Sequence, residues 1–307
     1  MTFVVETQDL RKDYRGRPAL AGIALRVPRG SLFGFLGPNG AGKTTAIRIL
    51  MGLLRPTAGS ASILGMDCWR NGPRLRREVG YLPGDVRHYA SMTGRQTLRF
   101  MDRAFGGGHM RRAERLAERL ELELDKRLRA FSTGMRQKLG LIQALMHEPQ
   151  VLILDEPTAA LDPLVRQTVF DLLRDAAQKG RTVLFSSHTL SEVDALCDHV
   201  AIVRGGKLIE QERLATLRQR APLRVEAWLD GAASSNGAVP TGLAVRERRA
   251  DRIVGHWSGP REELLIWLQA QRVADFTVVP DFESLFMSYY SADEVREICD
   301  PIGGDAS

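Results

Sequence analysis

The residues with the most specific chemistry are Gly37, Pro38, Asn39, Gly40, Ala41, Gly42, Lys43, Thr44 and Thr45, which together spell G-x-x-x-x-G-K-[ST]. In a phosphate-binding loop the glycines let backbone N–H groups curl around phosphate oxygens, and the following helix adds the positive end of its dipole. Lys43 reaches the β and γ oxygens and the Thr44 hydroxyl suits Mg²⁺. Two adjacent carboxylates, Asp155 and Glu156, invite a metal and a water, and His188 adds a titratable ring.

These residues need elements that bring them together. Leu32–Leu36 is an apolar run of strand length before the loop, and Ala46–Met51 after it reads as helix. Val151-Leu152-Ile153-Leu154 is an unbroken apolar run of the kind a central parallel strand shows, and it delivers Asp155 and Glu156. Asp162 makes a helix N-cap with Pro163 at the first helical position, and Gly180 follows that helix. Arg181–Ser187 is the next strand and delivers His188. Repeated strand-then-helix order predicts a parallel sheet with helices on both faces, whose ligands bind outside the carboxyl ends of the strands. Lys43, Asp155, Glu156 and His188 all follow strand ends, so one edge is expected to collect them.

Other stretches frame this core. Residues 2–36 read as β-rich, with strands at Phe3–Thr7 and Ile23–Val27 separated by the turn Arg15-Gly16-Arg17-Pro18. Tyr14, at that turn, is either a stacking partner for a flat base or a plain turn aromatic. Further strands are expected at Ser60–Gly65 and Val79–Pro83, helical periodicity from about 85 to 148, and a hairpin His199–Val203 and Lys207–Ile209 turning at Gly205-Gly206. Beyond about Thr216 a small α+β unit begins, with alternation over Leu223–Asp230, a small-residue loop from Gly231 to Gly242, strands near Leu243–Arg246, Arg252–Trp257 and Ala274–Val279, and helices at Pro260–Gln271 and Phe282–Tyr290. Nothing in that unit resembles a catalytic site.

Composition bounds the function classes. The chain has 307 residues, 44% hydrophobic and 26% charged, ordinary values for a globular protein of two domains. No apolar run approaches the ~20 residues that span a bilayer. Cys68, Cys197 and Cys299 have no metal-ligand spacing and read as free thiols. The net charge of +6 permits attraction to nucleic acid or to an anionic membrane face. Arg111, Arg112, Arg115 and Arg119 alternate with Glu114, Glu118 and Glu121, the pattern of a solvated helix surface.

The loop, the Asp155-Glu156 pair and His188, together with Phe131-Ser132-Thr133-Gly134-Met135-Arg136-Gln137, resemble the ATP-binding subunits of ABC transporters, in the form found in bacterial drug and antibiotic exporters. The resemblance covers about residues 2–212. It implies a P-loop cassette of α/β class: a mainly parallel sheet with an antiparallel β subdomain and a helical insertion at about 85–148. Residues 1–215 would form the ATP-binding domain and 216–307 an accessory domain like that of some exporter ATPases, or a prop for dimerisation or docking. By the resemblance, Gly37 to Thr45 are the Walker A loop, Asp155 the Walker B carboxylate, Glu156 the general base and His188 the γ-phosphate switch. Tyr14 is the adenine stack, Ala160-Leu161-Asp162 the loop that crosses a dimer interface, and Ser132 and Gly134 the signature positions facing the opposing subunit's nucleotide; from the residues alone, Ser132 reads only as an N-cap.

The implied function is ATP hydrolysis that drives a separate membrane permease, with ATP and Mg²⁺ as ligands, by a homodimer or a heterodimer at the cytoplasmic face of the membrane. Export is the direction implied. A soluble ATPase of the same type acting on nucleic acid or ribosomes is the alternative, but no nucleic-acid partner is expected: the chain has one cassette and no long coiled coil at 85–148. The sequence departs from the family after Val79–Pro83, where a Gln or Glu usually reaches Mg²⁺ and the attacking water; here Gly84 and Asp85 follow. Either the metal takes Thr44, Asp155 and water, or Asp85 assumes the open role.

Overall fold

The computed structural model describes residues 2–229, 240–249, 251–270, 273–287 and 289. The chain divides into two compact units, Met1–Leu214 and Ala215–Ser307.

The first unit is built on a six-stranded sheet in the order Lys207–Arg213, His199–Arg204, Leu32–Leu36, Thr182–Ser187, Val151–Asp155, Val79–Leu82. The first pair is antiparallel and the rest are parallel. Leu32–Leu36, Val151–Asp155 and Thr182–Ser187 are buried at every residue, which explains their unalternating apolar sequences: both faces are covered. Phe33, Phe35 and Phe185 are among the largest buried side chains, each contributing on the order of 1.5–3 kcal/mol by leaving water. Register puts Leu36 beside Ser187 and Ser186 beside Asp155. Gly37, His188 and Glu156 therefore leave the sheet from three adjacent strands at one edge.

A second, antiparallel sheet joins Arg17–Ile23, Phe3–Tyr14, Ala58–Ile63 and Met66–Asp67, with Arg26–Pro28 also on Phe3–Tyr14. Here the structure corrects the expected strands. Phe3–Tyr14 runs well past Thr7, through register shifts and a positive φ of 44° at Asp9, which hide its length from an alternation pattern. The expected strand Ile23–Val27 is interrupted at Ala24 and Leu25 because the buried Thr7 hydroxyl enters the ladder: it donates to the Ile23 carbonyl and accepts from the Leu25 N–H, both at 2.8 Å.

Helix Gly72–Glu78 escaped the sequence reading, although Pro73 sits at its start. The insertion's first helix, Gly94–Ala104, begins only after an irregular stretch from Pro83, where Thr93 and Gln96 make a reciprocal capping box. Met110–Arg119 and Thr133–Leu145 follow. Asp162 caps Pro163–Gln178 through Oδ1, which accepts from the Val165 N–H at 2.9 Å.

In the second unit an antiparallel sheet runs Leu243–Arg248, Arg252–Trp257, Leu223–Leu229, Val273–Pro280, with helix Arg261–Ala270. Val225, Ala227, Ile253, Trp257, Leu264 and Leu268 form its core. Residues 282–287 are helical. Most of the loop expected at Gly231 to Gly242, Gln271, Tyr290 and Cys299 lie outside the described residues.

Candidate functional site

Gly42 is the N-cap of helix Lys43–Leu50 at φ 101°, and an added Cβ there would stand 2.6 Å from the Ala19 carbonyl oxygen. Only glycine closes this turn without strain. No side chain caps the helix, so its first N–H groups, which have no intrahelical acceptor, remain as donors facing the loop. Lys43 is buried, and its Nζ donates to the Gly37 and Pro38 carbonyls at 2.7 and 3.0 Å. Burial pushes the Lys43 ammonium below the usual lysine range, opposed by the carboxylates of Glu156 and Asp155.

Glu156 stands between this lysine and the histidine. Its Oε1 lies 3.8 Å from Lys43 Nζ and 3.4 Å from His188 Nδ1, and the carboxylate is 29% exposed, open enough for a water to reach. Its backbone is left-handed at φ 50°, a conformation costing about 1–2 kcal/mol for a residue with a side chain. Two contacts enforce it: the Glu156 N–H donates to Ser186 Oγ at 3.0 Å, and its carbonyl accepts from the buried Gln137 Nε2 at 2.9 Å. Strain held in place from both sides at a half-open carboxylate is the arrangement of a functional group.

Asp155 is buried, and its two oxygens differ. Oδ1 accepts from Ser186 Oγ at 2.6 Å, while Oδ2 is buried with no hydrogen-bond partner. An orphaned hard oxygen suits a divalent cation. Among the described residues no three His, Cys, Asp or Glu side chains form a metal cluster. An ion held by Asp155 and Thr44 would therefore complete its shell with phosphate oxygens and water, the habit of Mg²⁺. Gly84 matters here: a Cβ at that position would stand 3.1 Å from Asp155 Oδ2. The glycine leaves the space over this oxygen open. Asp85 is engaged elsewhere, in an exposed pair in which Arg87 Nε donates to its Oδ2 at 2.8 Å.

The remaining predicted residues occupy two other places. Ser132 is exposed and caps helix Thr133–Leu145, its Oγ accepting from the Met135 N–H at 3.2 Å. Gly134 lies against the loop after Glu156, since a Cβ there would stand 2.9 Å from the Ala160 carbonyl oxygen. Ser132, Gly134 and Ala160 thus belong to one surface. Tyr14 ends its strand, 45% exposed, with Lys12 Nζ 5.4 Å from the ring centroid.

Sequence reasoning missed three supports. Ser186 was read only as the end of an apolar strand, and Gln137 only as part of a quoted stretch. The third is Glu192, buried on the short helix Leu190–Leu196. Its Oε1 accepts from Thr158 Oγ1 and its Oε2 from Ser187 Oγ, both at 2.7 Å, with Arg166 Nε at 3.7 Å. Ser187 also accepts the Gly37 N–H on its carbonyl at 3.2 Å. Glu192 therefore ties the loop after Glu156 to the strand end that carries His188 and meets the phosphate loop. An acid among Val193 and Leu196 was the available signal.

Comparison with known proteins gives a consistent picture. The ABC transporter family matches over residues 20–159. The bacitracin transport ATP-binding protein BcrA of Bacillus licheniformis is 37% identical over 223 residues, 72% of this chain and 73% of that protein. The Nod factor export ATP-binding protein I of Cupriavidus metallidurans is 34% identical, covering 69% of this chain and 71% of that one. A solved structure described as the ATP-binding subunit of an ABC transporter superposes with a TM-score of 0.67 at 30% identity, over 71% of this chain and 92% of the other.

Proposed function

The chain belongs to the ABC transporter family as an ATP-hydrolysing, ATP-binding subunit, and from that premise we propose how its residues divide the work. The observation that carries the reading is the convergence of Lys43, Glu156 and His188 within 3.4–3.8 Å at the ends of adjacent strands.

Gly37 to Thr45 cradle the phosphates, and Lys43 exchanges its carbonyl contacts for β and γ oxygens, whose negative charge suits a desolvated cation better. Glu156 accepts a proton from the attacking water while His188, on its other flank, contacts the γ-phosphate and holds the carboxylate in register. Ser186 fixes both Asp155 and the Glu156 backbone, so base and metal ligand move as one piece. Thr44 and Asp155 would hold Mg²⁺, which when bound neutralises charge on the transferring phosphoryl group. Asp85 joins them only by leaving Arg87. Tyr14 offers an exposed ring to the adenine.

Two cassettes, identical or homologous, sandwich two ATP molecules, with the exposed Ser132 helix start and Gly134 of each facing the nucleotide on the other. Residues 1–215 are the ATP-binding domain and 216–307 an accessory domain. Among the described residues no helix is long and apolar enough to cross a membrane. In this reading the motor acts on a separate permease at the cytoplasmic face, and the transport and export functions named for its relatives support export as the direction.

The test uses the full chain. Glu156→Gln should bind ATP normally and lose on the order of a hundredfold or more in steady-state phosphate release. Sedimentation of this variant with MgATP should show a dimer, which adding Ser132→Arg abolishes. Turnover near wild type would remove Glu156 from the role of base, and an unchanged dimer in the double variant would remove Ser132 from the interface.

A further inference from the structure

On helix Met110–Arg119, Arg111, Arg115 and Arg119 are exposed, as a solvated helix surface requires, and Arg112 is partly buried. Arg112, Arg115 and Arg119, spaced i, i+3 and i+7, share one face of the helix. They line a cavity of about 300 Å³ together with Lys179 and Arg181, over a floor that includes Leu116, Leu145 and Leu172. The glutamates lie apart: Glu114, Glu118 and Glu121 border a different depression with Arg95. The helix separates the two signs.

Five cations line the cavity against one acid, Asp175, and Glu148 pairs with two of them from beside it. Glu148 serves both Arg112, at 3.0 Å, and Arg181; Asp175 serves Arg119 at 3.0 Å. Among the described residues no acid lies within ion-pair distance of Arg115 or Lys179, and Arg181 Nη1 is buried without a hydrogen-bond partner. Helix dipoles account for part of this, since Lys179 and Arg119 stand at helix C-termini. They do not account for Arg112 and Arg115, which sit earlier in their helix. Burial, with Arg181, Arg115 and Arg119 nearby, lowers the Arg112 guanidinium against the pull of Glu148. Arg181 precedes Thr182–Ser187 and Glu148 precedes Val151–Asp155, so the cavity opens at the amino ends of the strands. The phosphate-loop edge is about 16 Å of strand away.

We propose that this cavity is a second anion site, one that takes a phosphate-bearing group by charge-assisted hydrogen bonds from Arg115, Lys179 and Arg181. Planar guanidinium groups present paired donors that match phosphate oxygens. The volume, open to solvent at the exposed Arg115 and Lys179, suits a small oligophosphate or a phosphorylated headgroup and is too small for a nucleic-acid duplex. A ligand here rests on Leu145, the last residue of the helix that begins beside Ser132, so occupancy bears on the element that presents the signature residues.

The two sources of phosphate are separated by two arms of one experiment. In the first, pyrophosphate is titrated calorimetrically into the full chain carrying Lys43→Ala, which disables the phosphate loop, and into the same chain with Arg115→Ala and Lys179→Ala. In the second, co-sedimentation with phosphatidylglycerol vesicles, against phosphatidylcholine, compares the wild type with the Arg115→Ala, Lys179→Ala pair. Neither side chain makes an ion pair at contact distance, and Lys179 has only its helix terminus and the more distant Glu148 to lose, so melting should change little. A loss on the order of ten- to a hundredfold in the first arm assigns a free phosphorylated anion. A loss confined to the second assigns an anionic headgroup. Arg115→Lys with Lys179→Arg should retain most of the affinity in the responding arm. Absence of binding, or affinity insensitive to the alanine pair in both arms, overturns the proposal.

Discussion

Asp155 and Arg181 lie at opposite ends of neighbouring strands, and each leaves one buried polar atom without a hydrogen-bond partner, Oδ2 in the first and Nη1 in the second. At the carboxyl edge the unmatched atom is an acceptor on a carboxylate whose other oxygen takes Ser186 Oγ, with Lys43 and Gly84 nearby. At the amino edge it is a donor among arginines that share too few acids. The difference follows from sheet polarity. Helices begin at the carboxyl edge with donors that attract phosphate, so acids persist there only where a cation or a hydroxyl holds them. At the amino edge Lys179 and Arg119 stand at helix C-termini, where the dipole favours cations, Arg112 and Arg115 join them from earlier in their helix, and the cluster is left to attract an anion of its own.

The largest expected effect tests the carboxyl edge. Lys43→Ala should weaken nucleotide binding on the order of a hundredfold, because a desolvated cation is lost from the phosphates. Unchanged affinity by calorimetry would mean that helix N–H groups alone hold the nucleotide and that the lysine is not the counterpart of the amino-edge arginines.

Glu192 tests whether this edge depends on its supports. Glu192→Ala leaves the buried Thr158 hydroxyl unpaired and Ser187 Oγ with Thr189 alone, and it frees the His188 strand end from the loop after Glu156, so kcat should fall about tenfold with KM nearly unchanged. Glu192→Gln keeps an acceptor and a donor for the same hydroxyls and should recover most of that loss. Equal falls in both variants, or a change confined to melting, would reduce Glu192 to a packing role.

Asp85 should have a smaller effect. If it leaves Arg87 to serve the metal, Asp85→Ala raises the Mg²⁺ concentration for half-maximal hydrolysis a few-fold and spares metal-free nucleotide affinity. An unaltered Mg²⁺ dependence would leave it as an exposed partner of Arg87, worth little to stability.

The effect on the amino side falls on stability and leaves turnover at neutral pH untouched. His147 stacks on Phe105 with centroids 3.9 Å apart, and burial, with His109 and then Arg181 adding positive charge, holds its imidazole at about 4. Above the unfolded value near 6.5 the group is neutral in both states and contributes nothing. As pH falls from there toward about 4, only the unfolded chain gains the proton, so stability drops across that window and is constant below it. His147→Phe should flatten this part of the melting temperature's pH dependence; an unchanged slope would show that the charged ring is tolerated there.

Much of the site was legible in the chain because its chemistry is written in local patterns. A phosphate loop needs glycine at a left-handed turn, such as Gly42, and a lysine at the next helical position. Asp155, Glu156 and His188 each follow a run whose apolar character marks a strand buried on both faces. Parallel order then brings strand ends to one edge, whatever the distances. The tertiary structure alone decided which contacts enforce that edge. Ser186 reaching Asp155 from the adjacent strand, Gln137 supporting the Glu156 carbonyl, Glu192 joining two loops and Gly84 standing over Asp155 Oδ2 all depend on register between segments far apart in sequence. The same holds for Thr7, whose hydroxyl interrupts a strand that its neighbours appeared to continue, and for the Arg112, Arg115 and Arg119 face. Local pattern specifies what an element is, because backbone geometry repeats every two or 3.6 residues. It does not specify which side chain from another element meets it, because that contact is selected by packing and by the cost of leaving a buried polar atom unpaired.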